Sequence, residues 1–156
     1  MSPTNHKAKW FDGSGVFYEF VNLFEFITNH KGKIHIGSDS QIRGNRVYFA
    51  IAICLIAKNQ NRKYFIHRIH RPIKEFINLG MRLQEEVLYS TQLASYLRDE
   101  LGLQDLCIHI DSSTIHVNKS AKFTKMLSNM VIGFGFKCLV KPDSWASFSV
   151  ADKHTK

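Results

Sequence analysis

Residues 33–70 read KIHIGSDSQIRGNRVYFAIAICLIAKNQNRKYFIHRIH, and this stretch decides the fold. Three strand-like runs lie in it, over 33–40, 46–57 and 62–70, each rich in β-branched and aromatic residues. Arg43-Gly44-Asn45 and the polar segment 58–61 are turn material between them. Connections this short favour an antiparallel meander.

Downstream of the meander the period changes. Leu83, Val87, Ala94, Leu97 and Leu101 share one face of a predicted helix over 78–101, with Gly102 as its stop. A short strand follows over 105–111 (DLCIHID), then a helix over 120–132, then a strand over 136–141 (FKCLVK) that ends at Pro142. Ser144 is the expected N-cap of a last helix reaching His154. Upstream, Phe17, Phe20, Val21, Phe24 and Ile27 recur at helical spacing, so one amphipathic helix is expected over 16–29 after a turn-rich start. The order is β-β-β-α-β-α-β-α with a leading helix. Strands four and five are joined through helices and are expected to run parallel. An α/β chain with a mixed five-stranded sheet in this order has the ribonuclease H-like architecture. The expected organisation is a single domain over 1–156, with residues 1–31 an extension and helix and 32–156 the core.

Composition bounds the function. The chain's 156 residues are 44% hydrophobic and 22% charged, which excludes a disordered or fibrous protein. The longest apolar run, over 49–57, is far short of the roughly twenty residues a membrane-spanning helix needs. The first residues show no secretory pattern, so a cytoplasmic protein is expected. The formal charge of +8 suits a polyanionic partner, nucleic acid first among them, although a merely soluble basic protein has the same composition. Cys54, Cys107 and Cys138 are far apart, lie in apolar stretches and form no C-x-x-C pair. They read as small buried hydrophobes in a reducing compartment rather than disulfides or zinc ligands.

The chemistry is expected from acids at strand ends. Asp39 closes the first strand of the meander and Asp111 the fourth strand. In α/β sheets ligands gather at the carboxyl ends of strands. Neighbouring parallel strands would set these two carboxylates side by side, where a divalent cation relieves their repulsion. On the long helix Glu86 falls near the apolar face and can reach the sheet, whereas Glu85 is expected to face solvent. Asp152 lies in the last helix among small residues. Asp39, Glu86, Asp111 and Asp152 together make a hard oxygen site suited to Mg²⁺ or Mn²⁺. Such a site, with two ions about 4 Å apart, suits two-metal phosphodiester hydrolysis. The bland alternatives are a turn-forming Asp, a solvated Glu86, and an Asp152 paired with Lys153 or Lys156.

Ile36-Gly-Ser-Asp-Ser-Gln41, Arg82-Leu-Gln-Glu-Glu-Val87, His109-Ile-Asp111, Gly133-Phe-Gly135, Lys141-Pro-Asp-Ser-Trp-Ala146 and Val150-Ala-Asp-Lys153 resemble the YkuK-like family of small bacterial proteins, which is assigned to the ribonuclease H-like fold. The resemblance runs from about residue 10 to the end. It implies a nuclease core with Asp39 as the first-strand acid, Glu86 the helix acid, Asp111 the fourth-strand acid and Asp152 the last-helix acid. The family carries Asn two residues after the fourth-strand acid, where this chain has Ser113. A fold does not by itself fix an activity.

Asp143 is expected to cap the last helix or face the site mouth. His35 and His109 share strand parity with the two strand acids, as supporting partners, distant ligands or satisfied core histidines. His67 and His70 with Arg68 and Arg71 could form a basic surface, and His154 could aid a leaving group. Ser112 to His116 is a weak Ser/His pattern without a nucleophile elbow. The Gly-x-Gly pairs at 13–15 and 133–135 lack a phosphate-loop context. Trp10, Phe11, Trp145 and Phe148 could stack on bases if exposed, with burial the default. The leading expectation is a Mg²⁺- or Mn²⁺-dependent nuclease acting on RNA, DNA or a hybrid. The alternatives are a non-catalytic nucleic-acid-binding module on the same fold, or a partner protein holding a metal for stability alone.

Overall fold

A computed structural model of the chain describes residues 2–57, 62–113 and 121–155. The expected turn at 58–61, His116 and the side chains of residues 113 and 148 lie outside the described residues. Seven strands form one sheet: β1 (Lys9–Asp12), β2 (Phe17–Glu19), β3 (Ile34–Arg43), β4 (Arg46–Leu55), β5 (Lys63–Pro72), β6 (Leu106–Ser113) and β7 (Lys137–Lys141). Their order across the sheet is β2-β1-β5-β4-β3-β6-β7. The meander β3–β4–β5 is antiparallel, and β6 and β7 run parallel to β3. The five expected strands are therefore present in the expected arrangement, with two more at the β5 edge.

Those two strands correct the expected helix over 16–29. Asp12 accepts hydrogen bonds from the backbone N–H groups of Ser14 and Val16 and from the Tyr18 hydroxyl. With Gly15 at φ 83° this closes a tight turn. β1 then pairs with both β2 and β5. The helical spacing survives only further on, as a 3₁₀ turn over Phe20–Leu23 and the short helix α1 over Phe24–Asn29. Phe20, Leu23 and Ile27 are fully buried there, while Phe17 is 70% exposed. Tertiary pairing of a β-prone aromatic run overrode its period.

The long helix α2 (Leu79–Leu101) is close to expectation. Asn78 caps it by accepting from the Met81 N–H at 3.0 Å, and Gly102 ends it in the left-handed region at φ 71°. Leu83, Val87, Leu93, Ala94 and Leu97 bury against Ile34, Ile36, Phe49, Ile51 and Ile53 of the sheet. Helix α3 (Ala121–Gly133) adds Leu127 and Val131 to the same core.

On the other face the chain end is not the regular helix expected from Ser144. Ala146–Ala151 is a wide π-type turn, followed by a 3₁₀ turn over Asp152–His154. Ser144 does not cap it: among the described residues its buried Oγ has no hydrogen-bond partner, while its carbonyl accepts from the Ser147 N–H. Asp143 is exposed in the preceding turn. The segment is shaped by close approach to β3. A Cβ at Gly37 would sit 2.6 Å from the backbone of Ala146 and Ser147, so only glycine lets the two backbones meet. Ala50, Ala52, Cys54 and Ile66 complete this second, smaller core with Ala146 and Ala151.

Candidate functional site

β3 and β6 lie side by side in parallel, with Gly37 opposite His109 as their last register pair. Asp39 and Asp111 each stand two residues beyond that pair, at the strand ends where the sheet opens. β6 is irregular there: His109 pairs with Leu139 but Ser113 with Lys141, so four residues of β6 run against two of β7. Asp111 lies inside this bulge, a device that re-aims a side chain beside a site. The π-type turn held against Gly37 and its 3₁₀ continuation bring Asp152 to the same place.

The acids crowd one another. Asp39 is 6% exposed and its carboxyl is pushed up to about 8. Burial is the first cause, and the carboxyl groups of Asp111 and then Asp152, both close enough to share a hydrogen bond with it, add to the rise. The Thr155 hydroxyl lies 2.9 Å from the Asp152 carbonyl and 3.2 Å from Asp39 Oδ2, which share its one proton. Lys141 Nζ stands 2.6 Å from Asp111 Oδ1, and among the described residues that buried oxygen accepts no hydrogen bond of good geometry.

Glu86 approaches from the opposite side. Strand alternation sends Ser38 and Ser40 toward α2, with Ser38 bonded to Ser90 at 2.7 Å and the Ser40 hydroxyl donating to Glu86 Oε1 at 2.5 Å. Glu86 is 5% exposed, and its carboxyl is raised well above the ordinary value by burial, then by the charge of Asp39, with Asp111 adding and Ser40 and Arg82 opposing. The structure thus gathers Asp39, Asp111 and Asp152 as one group. Glu86 stands behind it, within reach of its field and bonded elsewhere. Glu85 does not face open solvent: it pairs with Arg71.

A divalent cation fits the chemistry of this donor set. The oxygens are hard, and burial and mutual repulsion raise two of the acids by disfavouring their ionised state, a penalty that a bound cation relieves.

A second cluster lies four residues back along β3. Among the described residues, His35, Cys107 and His109 are the one set of three His, Cys, Asp or Glu side chains with ligand atoms all within 4.8 Å of one another. Its hydrogen bonds argue against a metal. The Ala146 N–H donates to His109 Nδ1 at 3.1 Å, which assigns the proton to Nε2, and Nε2 lies 2.8 Å from His35 Nδ1. The Nε2–H therefore donates to His35, and His109 has no lone pair left for a metal. Burial first and His35 second push His109 down to about 3, while the Ser144 carbonyl pulls the other way by less. The His109 carbonyl also accepts from Ser147 Oγ at 2.7 Å. His109 is a satisfied core histidine that clamps the last segment to β6. Cys54 and Cys107 are buried free thiols, as expected, whereas Cys138 is a free thiol that is only half-buried.

His67 is buried, stacks on Trp10 at 5.4 Å and bonds the Lys9 carbonyl, so it is no part of a basic surface. Arg71 is taken up by Glu75 and Glu85. His154 touches Tyr64 and Arg68. Trp10 is wholly buried, and Trp145 packs on His35 and His109 at 4.8 Å each, so neither is a free stacking platform. Ser112 bonds Thr124 at 2.5 Å. Sequence reasoning missed Ser40, Lys141 and Thr155. Their signals were present: Ser40 has the opposite parity to Asp39, Lys141 ends the strand beside Asp111, and Thr155 follows Asp152 by one turn.

Among the described residues, no helix is long and apolar enough to cross a membrane. No curated protein matches the chain. Residues 16–156 match the family described as Ribonuclease H-like, and the chain belongs to that family.

Proposed function

We propose that the protein is a metal-dependent nuclease that hydrolyses phosphodiester bonds in RNA, DNA or a hybrid, with Asp39, Asp111 and Asp152 holding Mg²⁺ or Mn²⁺ and Glu86 completing the set. One observation carries the reading: three carboxylates from β3, β6 and the chain end converge at the strand ends with Asp39 pushed up to about 8. Such convergence costs stability and is repaid where a function needs it. When bound, a pair of such ions supplies an activated water and charge stabilisation for the leaving oxygen.

The chain's own groups do the rest. Ser40 fixes the rotamer of Glu86 by donating to Oε1, and the Thr155 hydroxyl, shared between the Asp152 carbonyl and Asp39 Oδ2, ties Asp39 to the segment that carries Asp152. Lys141, beside Asp111, lowers the repulsion in the group and leaves a cation near an incoming phosphate. Gly37 and His109 act at one remove, by seating the segment that carries Asp152. The net charge of +8 favours a polyanionic substrate, the separated free cysteines agree with a cytoplasmic setting, and the motif set supports the narrower YkuK-like likeness.

The test is cleavage of end-labelled single-stranded RNA, single-stranded DNA and hybrid, with Mg²⁺, with Mn²⁺ and with chelator. Wild type cleaves only with metal, and Asp39→Asn loses at least about 100-fold, since a metal-held charge is worth several kcal/mol. Equal cleavage by both proteins refutes the assignment. Binding without cleavage leaves the chain as a nucleic-acid-binding module on the same fold.

A further inference from the structure

Register carries the sheet face of Asp39 outward in rows. Asp39 lies opposite Ala50, which lies opposite Arg68; Gln41 opposite Tyr48, then His70; Arg43 opposite Arg46, then Pro72. Residues two apart on a strand share a face, so these rows continue one surface, about 7 Å apart. The last segment covers this face as far as Ala50 through Ala146 and Ala151. Beyond it, Arg43, Arg68 and His70 are exposed, and Gln41, Arg46 and Tyr48 are half-buried.

Among the described residues these cations have no carboxylate partner. Arg71, adjacent on β5 but of opposite parity, is paired with two glutamates. Among the described residues none of the ion pairs involves Arg43, Arg46 or Arg68. Arg43 lies over the Tyr48 ring at 5.2 Å, the Tyr48 and His70 rings are 5.7 Å apart, and Arg46 Nη1 is 2.6 Å from His70 Nδ1. Arg68 feels the like charge of Arg43, lies over the Phe11 ring at 4.3 Å and donates one N–H to the His154 carbonyl, which leaves its charge without a carboxylate partner. A sheet surface with an aromatic ring among guanidinium groups that meet neutral partners and no carboxylate is suited to unstacked bases on a phosphate backbone. A duplex hides its base faces and has no use for the ring.

We propose that this face is the landing track of a single nucleic-acid strand: bases stack on Tyr48, phosphates meet Arg43, Arg46 and Arg68, and the strand leads toward Asp39. A base taking the Tyr48 ring displaces Arg43 onto a neighbouring phosphate. The direction toward Asp39 rests on the nuclease reading; the binding does not.

Fluorescence anisotropy of labelled oligonucleotides in chelator separates the two. Wild type binds single-stranded RNA or DNA more tightly than the matching duplex. Tyr48→Ala weakens single-strand binding about 10-fold with the salt dependence unchanged. The double variant Arg43→Ala/Arg46→Ala flattens the salt dependence by about two ionic contacts. Asp39→Asn binds at least as tightly as wild type. Circular dichroism melts, and rescue by Tyr48→Phe, guard against misfolding. Single-strand binding unchanged by Tyr48→Ala, or equal affinity for duplex, overturns the track. Tyr48-dependent binding without any metal-dependent cleavage keeps the track and removes the nuclease. Cleavage with KM unmoved in Tyr48→Ala keeps the nuclease and removes the track.

Discussion

His35 with His109, and Asp39 with Asp111, stand on the same two neighbouring strands a few residues apart. Both pairs bring ionisable groups into contact where water is scarce, and they end in opposite states. The histidines share one proton and an Ala146 N–H, so every lone pair and hydrogen at their contact is spoken for. The carboxylates, once ionised, turn acceptors toward acceptors, and among the described residues the groups that answer them are Thr155 and, on Asp111, Lys141. Neutral imidazoles can satisfy each other by choosing tautomers; ionised carboxylates cannot. Closeness of ligand atoms therefore marks the histidine cluster, while unrelieved repulsion marks the acids, and only the second asks for a cation.

The comparison breaks hardest at His109. His109→Ala removes a buried ring and leaves the Ala146 N–H without an acceptor. The expected loss is about 3 kcal/mol of unfolding free energy, read from urea titration. It also releases the segment carrying Asp152, so Mg²⁺-induced stabilisation falls with it. If His109→Ala kept full stability and full Mg²⁺ response, the clamp would not exist.

The two pairs have opposite pH signatures. His109 is pushed down to about 3 in the folded chain, so between there and its ordinary value near 6.5 the unfolded state binds more protons, and stability rises with pH. Asp39 is pushed up from 3.8 to about 8, so between those values the folded state binds more protons, and stability falls as pH rises. The slopes oppose each other over the window they share. From about pH 6.5 to 8 only the acidic slope remains, strengthened by Glu86, which is raised in the same direction. In chelator, the melting temperature of wild type is expected to drop across that upper window. Asp39→Asn removes most of the drop and is more stable than wild type at pH 8 by about 1 kcal/mol. Mg²⁺ reverses the slope in wild type alone. A flat metal-free profile in wild type would mean that the acids are not crowded.

How far the site was legible in the sequence follows from the same contrast. Asp39 and Asp111 could be read because strand ends in a β-β-β-α-β order are fixed by period and connection length. Their repulsion could be anticipated from that alone. The pairing of His35 with His109 could be anticipated only as shared parity, since tautomers are set by Ala146, far along the chain and brought in by Gly37. The N-terminal helix was misread because the spacing of Phe17, Phe20 and Phe24 fits a helix, while the decisive bonds come from Asp12 and from pairing with β5. The final helix was misread because small residues look like good helix formers, when here they serve close backbone approach to β3.

Lys141 gives a smaller effect. Its side chain is 39% exposed, so the pair with Asp111 is partly screened. Lys141→Met is expected to cost no more than about 0.5 kcal/mol at neutral pH in chelator and nothing when Mg²⁺ supplies the positive charge instead. A loss that persists undiminished in saturating Mg²⁺ would show that Lys141 acts through packing and not through charge.

The smallest expected effect is a comparison with no difference in it. Zinc favours imidazole and thiolate, so His35, Cys107 and His109 are the group it would choose if geometry sufficed. Capturing it would require His109 to move its proton from Nε2 to Nδ1, against the Ala146 N–H that already points there. The folded chain would surrender a buried hydrogen bond and set two donors facing each other. Zinc can still meet the acids, so a bare melting shift decides nothing. The informative measurement is the zinc-induced shift in wild type against His35→Ala, whose half-exposed ring can be removed while His109 keeps its bond to Ala146. Equal shifts in the two proteins place any zinc at the carboxylates. A shift present in wild type and lost in His35→Ala would mean that the histidine tautomer yields to the metal, and that the two clusters differ less than their hydrogen bonds imply.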